Sequence, residues 1–219
     1  MKLFSPDSPG MRFLSLVADA MIVGLLWLLT SIAIITIGAS TTAAYYVLMR
    51  RISDREGSIT SDYFLSFREN FKNATIIFVI LTALSAVNIY NFFYNPVEGT
   101  IGIIINILQI IIAAQLAFVY LHIFPLASRS DLGIKQLFKT SLIIANKHVF
   151  TTLTLIALTV ALTWVSLSAP FIIAFSMGFY CWLSSYMLIK VYRRYKPEMD
   201  KDFDADNETR SEEDDSNTS

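Results

Sequence analysis

Residues 36–51 read TIGASTTAAYYVLMRR. They close an uncharged stretch of thirty residues, Ala20 to Met49, whereas about twenty residues of helix cross a hydrocarbon core. A run of that length crosses once with residues to spare, or twice around a turn. Ile37-Gly38-Ala39-Ser40-Thr41 offers the turn. Glycine permits the backbone angles of a reversal, and Ser40 or Thr41 can cap the helix that follows. That helix is expected from about Thr41 to Glu56, where Gly57 stops it. Its length is then about 24 Å, short for a crossing, but Arg50 and Arg51 can snorkel and the bilayer can thin locally. The reading adopted is two crossings with an external turn at TIGAS. A single crossing is the alternative, and it reduces the helix count from six to five.

The rest of the chain repeats the theme. Only 16% of its 219 residues are charged and 54% are hydrophobic, against roughly 25% charged in soluble domains. Charge-free runs continue at Asn73–Val97, Gly99–Ser128 and Val149–Ile189. The last is long enough for two crossings, and Ser166-Leu167-Ser168-Ala169-Pro170 divides it, because a proline ends one helix and suits the start of the next. No removable signal peptide is read at the N-terminus. The single cysteine, Cys181, lies in an apolar run and offers neither an intrachain disulfide nor a thiolate metal cluster.

Lysine and arginine set the orientation, because cytoplasmic loops are enriched in them. They concentrate at Arg50–Lys72, Arg129–His148 and Lys190–Lys196, while the connections NPVEGT and SLSAP hold none. The expected fold is therefore all-α: a polytopic membrane bundle of six helices, alternatively five, in three hairpins turning outside at TIGAS, NPVEGT and SLSAP. Two cytoplasmic connections read as amphipathic helices lying in the headgroup layer. In the first, Phe64, Phe67 and Phe71 recur beside Arg68 and Lys72. In the second, Ile134, Phe138 and Leu142 recur beside Lys135 and Lys139. Both begin Ser-Asp, a faint internal repeat. The membrane domain spans residues 1–196. Residues 197–219 read as an acidic, disordered cytoplasmic tail, with nine acidic residues against Lys201 and Arg210 from Asp200 onward.

Ionisable groups inside a membrane point to transport or catalysis, and few occur here. Asp19 reads as an interfacial carboxylate paired with Arg12 or a helix end, the sharper alternative being a buried acid coupled to a cation. His122 reads as a hydrogen-bonded or interfacial residue, not a proton relay. Asn88 and Asn91 read as interfacial. A clearer pattern is Gly102, Asn106, Gln109 and Ala113, which share one narrow helical stripe. An amide facing lipid goes unsatisfied, so this stripe faces protein or a wet cavity. It is a candidate for helix packing beside small residues, or for lining a solute path. HExxH, Walker-type, G-x-S-x-G and Cys/His patterns do not occur in the sequence. No catalytic residue, cofactor, metal or nucleic acid is expected, and the basic loops fit orientation and anionic lipid.

The string Leu25-Leu26-Trp27, then Thr36-Ile37-Gly38-Ala39-Ser40-Thr41-Thr42-Ala43 and Tyr45, followed by Phe64, Phe67, Asn70-Phe71 and Lys72, resembles the YesL-like family of bacterial integral membrane proteins, which has no established activity. The resemblance covers about the first 80 residues well and the remainder mainly in hydropathy. Two departures stand out: Gly24 replaces the usual Asn before Leu-Leu-Trp, and Ala33 replaces a usual Pro. The resemblance implies a multi-pass protein of the bacterial plasma membrane, with an auxiliary part in carbohydrate uptake and a sugar ABC transporter as candidate partner. A small polar-solute transporter in its own right is the alternative, with Trp27, Trp164 or Trp182 then facing the solute.

Overall fold

The computed structural model describes residues 9–53, 57–168 and 173–195. Among them are seven α-helices: α1 (Pro9–Thr30), α2 (Ile37–Ile52), α3 (Ile59–Phe93), α4 (Gly99–Ala127), α5 (Ile134–Lys147), α6 (Val149–Ser168) and α7 (Ile173–Tyr195), with a 3-10 turn at Ile34–Thr36. Four of these, over Gly10–Thr30, Ile59–Phe93, Gly99–Ala127 and Val149–Ser168, are long and apolar enough to cross a membrane. The acidic tail, Lys2, Arg55 and the Ala169–Pro170 part of the third expected turn lie outside the described residues.

The first reversal differs from its expected position. The chain leaves α1 at Thr30 and turns through Ser31–Ala33 and the 3-10 turn, so Gly38, Ala39, Ser40, Thr41 and Thr42 lie inside α2. No glycine is needed at the turn, because Thr36 closes it. Its hydroxyl lies 2.5 Å from the carbonyl oxygens of Thr30 and Ala33, satisfying groups left bare at the end of α1. The glycine serves contact instead. A Cβ on Gly38 would sit 2.5 Å from the Ala74 carbonyl oxygen and 2.8 Å from Phe78 Cβ. Helix α2 still has the expected sixteen residues, shifted four positions toward the N-terminus.

Helix α2 runs antiparallel to α1, as the pairs Thr30–Ser40, Trp27–Thr41 and Asp19–Arg51 show. Helix α7 closes on α1 through small residues. A Cβ on Gly178 would collide with the Ala20 carbonyl oxygen and the Gly24 nitrogen, the close approach that small residues allow in membranes. Gly24, the departure from the family pattern, is thus a packing position. Helices α3 and α4 form a second antiparallel pair, with Phe78 against Tyr120 and Asn88 against Gln109.

Of the two expected interfacial helices, only α5 is separate. The first is continuous with a membrane-length helix, because Ile59 to Phe93 contains no Gly or Pro to interrupt it. Its buried face carries Asp62, Tyr63 and Ser66, with Phe64 and Phe71 exposed beside it. Similarly, α5 buries Leu137, Ser141, Ile144 and Ala145, whereas Ile134 and Phe138 are only half-buried and Leu142 is exposed. In both helices the protein-facing stripe is thus distinct from the apolar face read from the sequence, whose Phe64, Phe71 and Leu142 stay exposed.

Candidate functional site

Helix α2 is the hub. All thirteen residues from Gly38 to Arg50 are buried. A helix so enclosed has no lipid to satisfy and can carry hydroxyls, provided each is bonded. Ser40 and Thr42 donate to the carbonyls of Thr36 and Gly38, both at 3.0 Å, the back-bonding typical of Ser and Thr in helices. The Thr30 hydroxyl lies 2.9 Å from Ser40 Oγ and 2.7 Å from the Tyr63 hydroxyl, tying α1, α2 and α3 together. Trp27 Nε1 donates to Thr41 Oγ1 at 3.1 Å. Ser184 donates to the Tyr180 carbonyl at 2.6 Å, so the Tyr45 hydroxyl, 3.0 Å from Ser184 Oγ, is the donor in that pair.

Two ion pairs hold the other end of α2. Arg50 Nη1 donates to Asp62 Oδ1 at 3.1 Å with both residues buried. Gly57 leaves room for this pair, since a Cβ there would stand 2.5 Å from Asp62 Oδ2. Arg51 Nε donates to Asp19 Oδ2 at 2.9 Å. Asp19 is therefore a buried carboxylate whose cationic partner is Arg51 of α2. Both arginines also sit in the last turn of α2, where a cation complements the helix dipole.

The stripe on α4 faces α3 and the chain between the two helices. Asn88 Nδ2 donates to Gln109 Oε1 at 2.6 Å, and Asn95 Nδ2 donates to Asn106 Oδ1 at 3.1 Å. A Cβ on Gly102 would collide with the Val97 carbonyl oxygen. Ala113 stands apart from these bonds, on the wall of a cleft of about 430 Å³ with Asn88, Tyr120 and Thr159. Asn88 is buried with Gln109 as its partner, whereas Asn91 is exposed. Further along α4, Gln115 and Asn146 of α5 exchange reciprocal amide bonds at 3.2 and 2.9 Å. His122 is fully buried, its Nε2 lying 3.0 Å from Thr152 Oγ1 and its carbonyl accepting from the Tyr192 hydroxyl at 3.2 Å.

A larger cleft, about 460 Å³, lies between α6 and the α1–α2–α4–α7 group. Trp27, Thr41, Tyr45, Tyr120 and Tyr180 form one side, and Thr159, Thr163 and Ser166 of α6 form the other. Trp27 is the one tryptophan that lines it. Trp164 is 74% exposed, and Trp182 packs against Phe13 with ring centroids 5.6 Å apart. The α6 wall was not anticipated, although its signal is in the sequence. Thr152, Thr159, Thr163 and Ser166 recur at seven, four and three residues, a polar stripe of the same kind as Gly102–Ala113.

Among the described residues no group of three or more His, Cys, Asp or Glu is arranged to hold a metal. A family model described as "Protein of unknown function, DUF624" matches residues 20–92, which run from α1 through α2 to the end of α3. The chain is similar to that uncharacterised family over its hub, the part holding the TIGASTTA string. No curated protein and no solved structure matches the chain.

Proposed function

We propose that this protein acts without catalysis, as an interaction or accessory component of the bacterial plasma membrane linked to carbohydrate uptake, with its C-terminus cytoplasmic. The supporting observation is that buried polar side chains of its long apolar helices find protein partners: Asn88 with Gln109, Asn106 with Asn95 of the α3–α4 connection, and Asp19 with Arg51 of α2. Polar groups bonded in this way fasten helices together instead of presenting a polar track to a solute. The link to carbohydrate comes from the YesL-like resemblance alone.

The deciding experiment is extraction from the native membrane into nanodiscs, with and without residues 197–219. Stoichiometric recovery of a sugar permease or its ATPase is the expected result. Recovery of the folded protein alone would sink the accessory reading. It would favour the second one, a small polar-solute transporter, whose supporting observation is the cleft lined by Trp27 and hydroxyls. Topology is tested separately with Ser5→Cys. The one native thiol, Cys181, is buried, so labelling from the outer side of intact cells would report residue 5 and replace six helices with five.

A further inference from the structure

Helix α5 packs one face on the bundle and leaves the other uncovered. Leu137, Ser141, Ile144 and Ala145 are buried, so much of the apolar side that would sink an in-plane helix into lipid is spent on protein contact. On the far side Lys135 and Lys139 are exposed, one turn apart, with Gln136 beside them. Two cations at that spacing repel each other. Among the described residues neither lysine is ion-paired, since the pairs are Arg50–Asp62 and Arg51–Asp19. Lys135 also stands in the first turn of α5, which holds no acidic residue, so the positive end of the helix dipole adds to the field there.

The end of α7 reaches the same corner of the molecule. Tyr192 donates to the His122 carbonyl at 3.2 Å, and Arg129, five residues before α5, acts electrostatically on the Tyr192 hydroxyl. Lys190 and Arg194, exposed and one turn apart on α7, add two more cations. Helix α7 closes at Tyr195. From Asp200 onward the sequence sets nine acidic residues, half of the eighteen in the chain, against Lys201 and Arg210. Asp200 lies five positions beyond Tyr195 and Asp215 twenty, reaches of at most about 18 and 70 Å. The whole of α5 is about 21 Å long. Opposite charges tethered at that range meet at a high effective concentration.

We propose that the acidic segment 200–215 folds back on the exposed face of α5, its carboxylates meeting Lys135 and Lys139, and so covers a cationic surface that anionic lipid headgroups would otherwise take. The contact goes beyond the accessory reading and does not depend on which partner is recovered. The test places spin labels at Gln136→Cys and Ser211→Cys in the full chain, in phosphatidylcholine nanodiscs; the native thiol, Cys181, is buried. At low ionic strength, dipolar distance measurement is expected to show a main population within about 20 Å, the length of α5. In about 1 M salt, where charges are screened beyond about 3 Å, that population is expected to fall about fivefold, as for the loss of two exposed ion pairs. Lys135→Gln with Lys139→Gln is expected to do the same at low salt. A distribution that ignores salt overturns the proposal, and this arm leaves both lysines in place. Native mass spectrometry then separates the lipid occupant. In nanodiscs containing phosphatidylglycerol, removal of residues 197–219 is expected to raise the amount of that lipid retained. Equal retention with and without those residues would assign the face to lipid and overturn the proposal.

Discussion

Helix α2 and the N-terminal half of α4 invert the rule of water-soluble proteins. Between Gly38 and Arg50, α2 carries Ser40, Thr41, Thr42, Tyr45 and Tyr46, and every residue is buried. The N-terminal half of α4 is rich in isoleucine, and its isoleucines are mostly exposed, Ile101 by 65% and Ile103 by 63%. In water the apolar helix would form the core. In lipid no hydrophobic force draws helices together, so contact goes to small residues and internally bonded hydroxyls, while the apolar side chains face the tails. Such a comparison separates what holds this molecule together from what solvates it.

The sharpest way to break the comparison is at the buried end of α2. Arg50→Ala leaves the Asp62 carboxylate without its guanidinium and is expected to destabilise by about 3–5 kcal/mol, read from unfolding in mixed detergent micelles. Arg50→Ala with Asp62→Ala should recover much of that loss. A single variant as stable as the parent would mean that the pair is not buried in the membrane-embedded protein.

A smaller effect, about 1–3 kcal/mol, is expected for Gly38→Leu, whose side chain must enter the space held by the Ala74 carbonyl and Phe78. Thermal unfolding followed by loss of the monodisperse peak measures it. If instead Gly38 lay in an external turn, the same substitution would leave stability nearly unchanged.

On α4, Asn88→Leu strands the Gln109 amide and should cost roughly 0.6–1.7 kcal/mol, the range of hydrogen bonds between membrane helices. A cycle with Gln109→Leu tests whether the two act as a pair, and additivity would refute the pairing. Least affected is Ile104→Ala, in the exposed part of α4, expected within about 0.5 kcal/mol of the parent. A large loss there would reveal that a protein surface, not lipid, covers α4.

Particular residues show how far the sequence could be read. The Asn106/Gln109 stripe was legible because two amides in an isoleucine helix must face something polar. Its partners were not, because Asn88 and Asn95 come from another helix and a connection, and no periodicity links them. The Thr36–Thr42 string was legible as a special segment, yet its glycine was assigned to a turn. From sequence, glycine at a reversal and glycine at a helix crossing look the same; the Ala74 carbonyl that distinguishes them is thirty-six positions away. The amphipathic segments were legible from their periodicity, but the opposite, protein-facing stripe with Tyr63, Ser66 and Ser141 was not, since its partners lie on other helices.

By itself, then, the sequence determined that the chain is helical and apolar enough for a bilayer, because hydropathy and the lack of breakers act locally along each segment. Only the tertiary structure decided that α2 is the enclosed hub, that Asp19 and Asp62 each meet an arginine, and that α6 stands off to leave an uncharged cleft. Those outcomes depend on which surfaces meet across the bundle. That in turn depends on where a missing Cβ or a bonded hydroxyl lets two backbones approach, a property of pairs of helices rather than of any one of them.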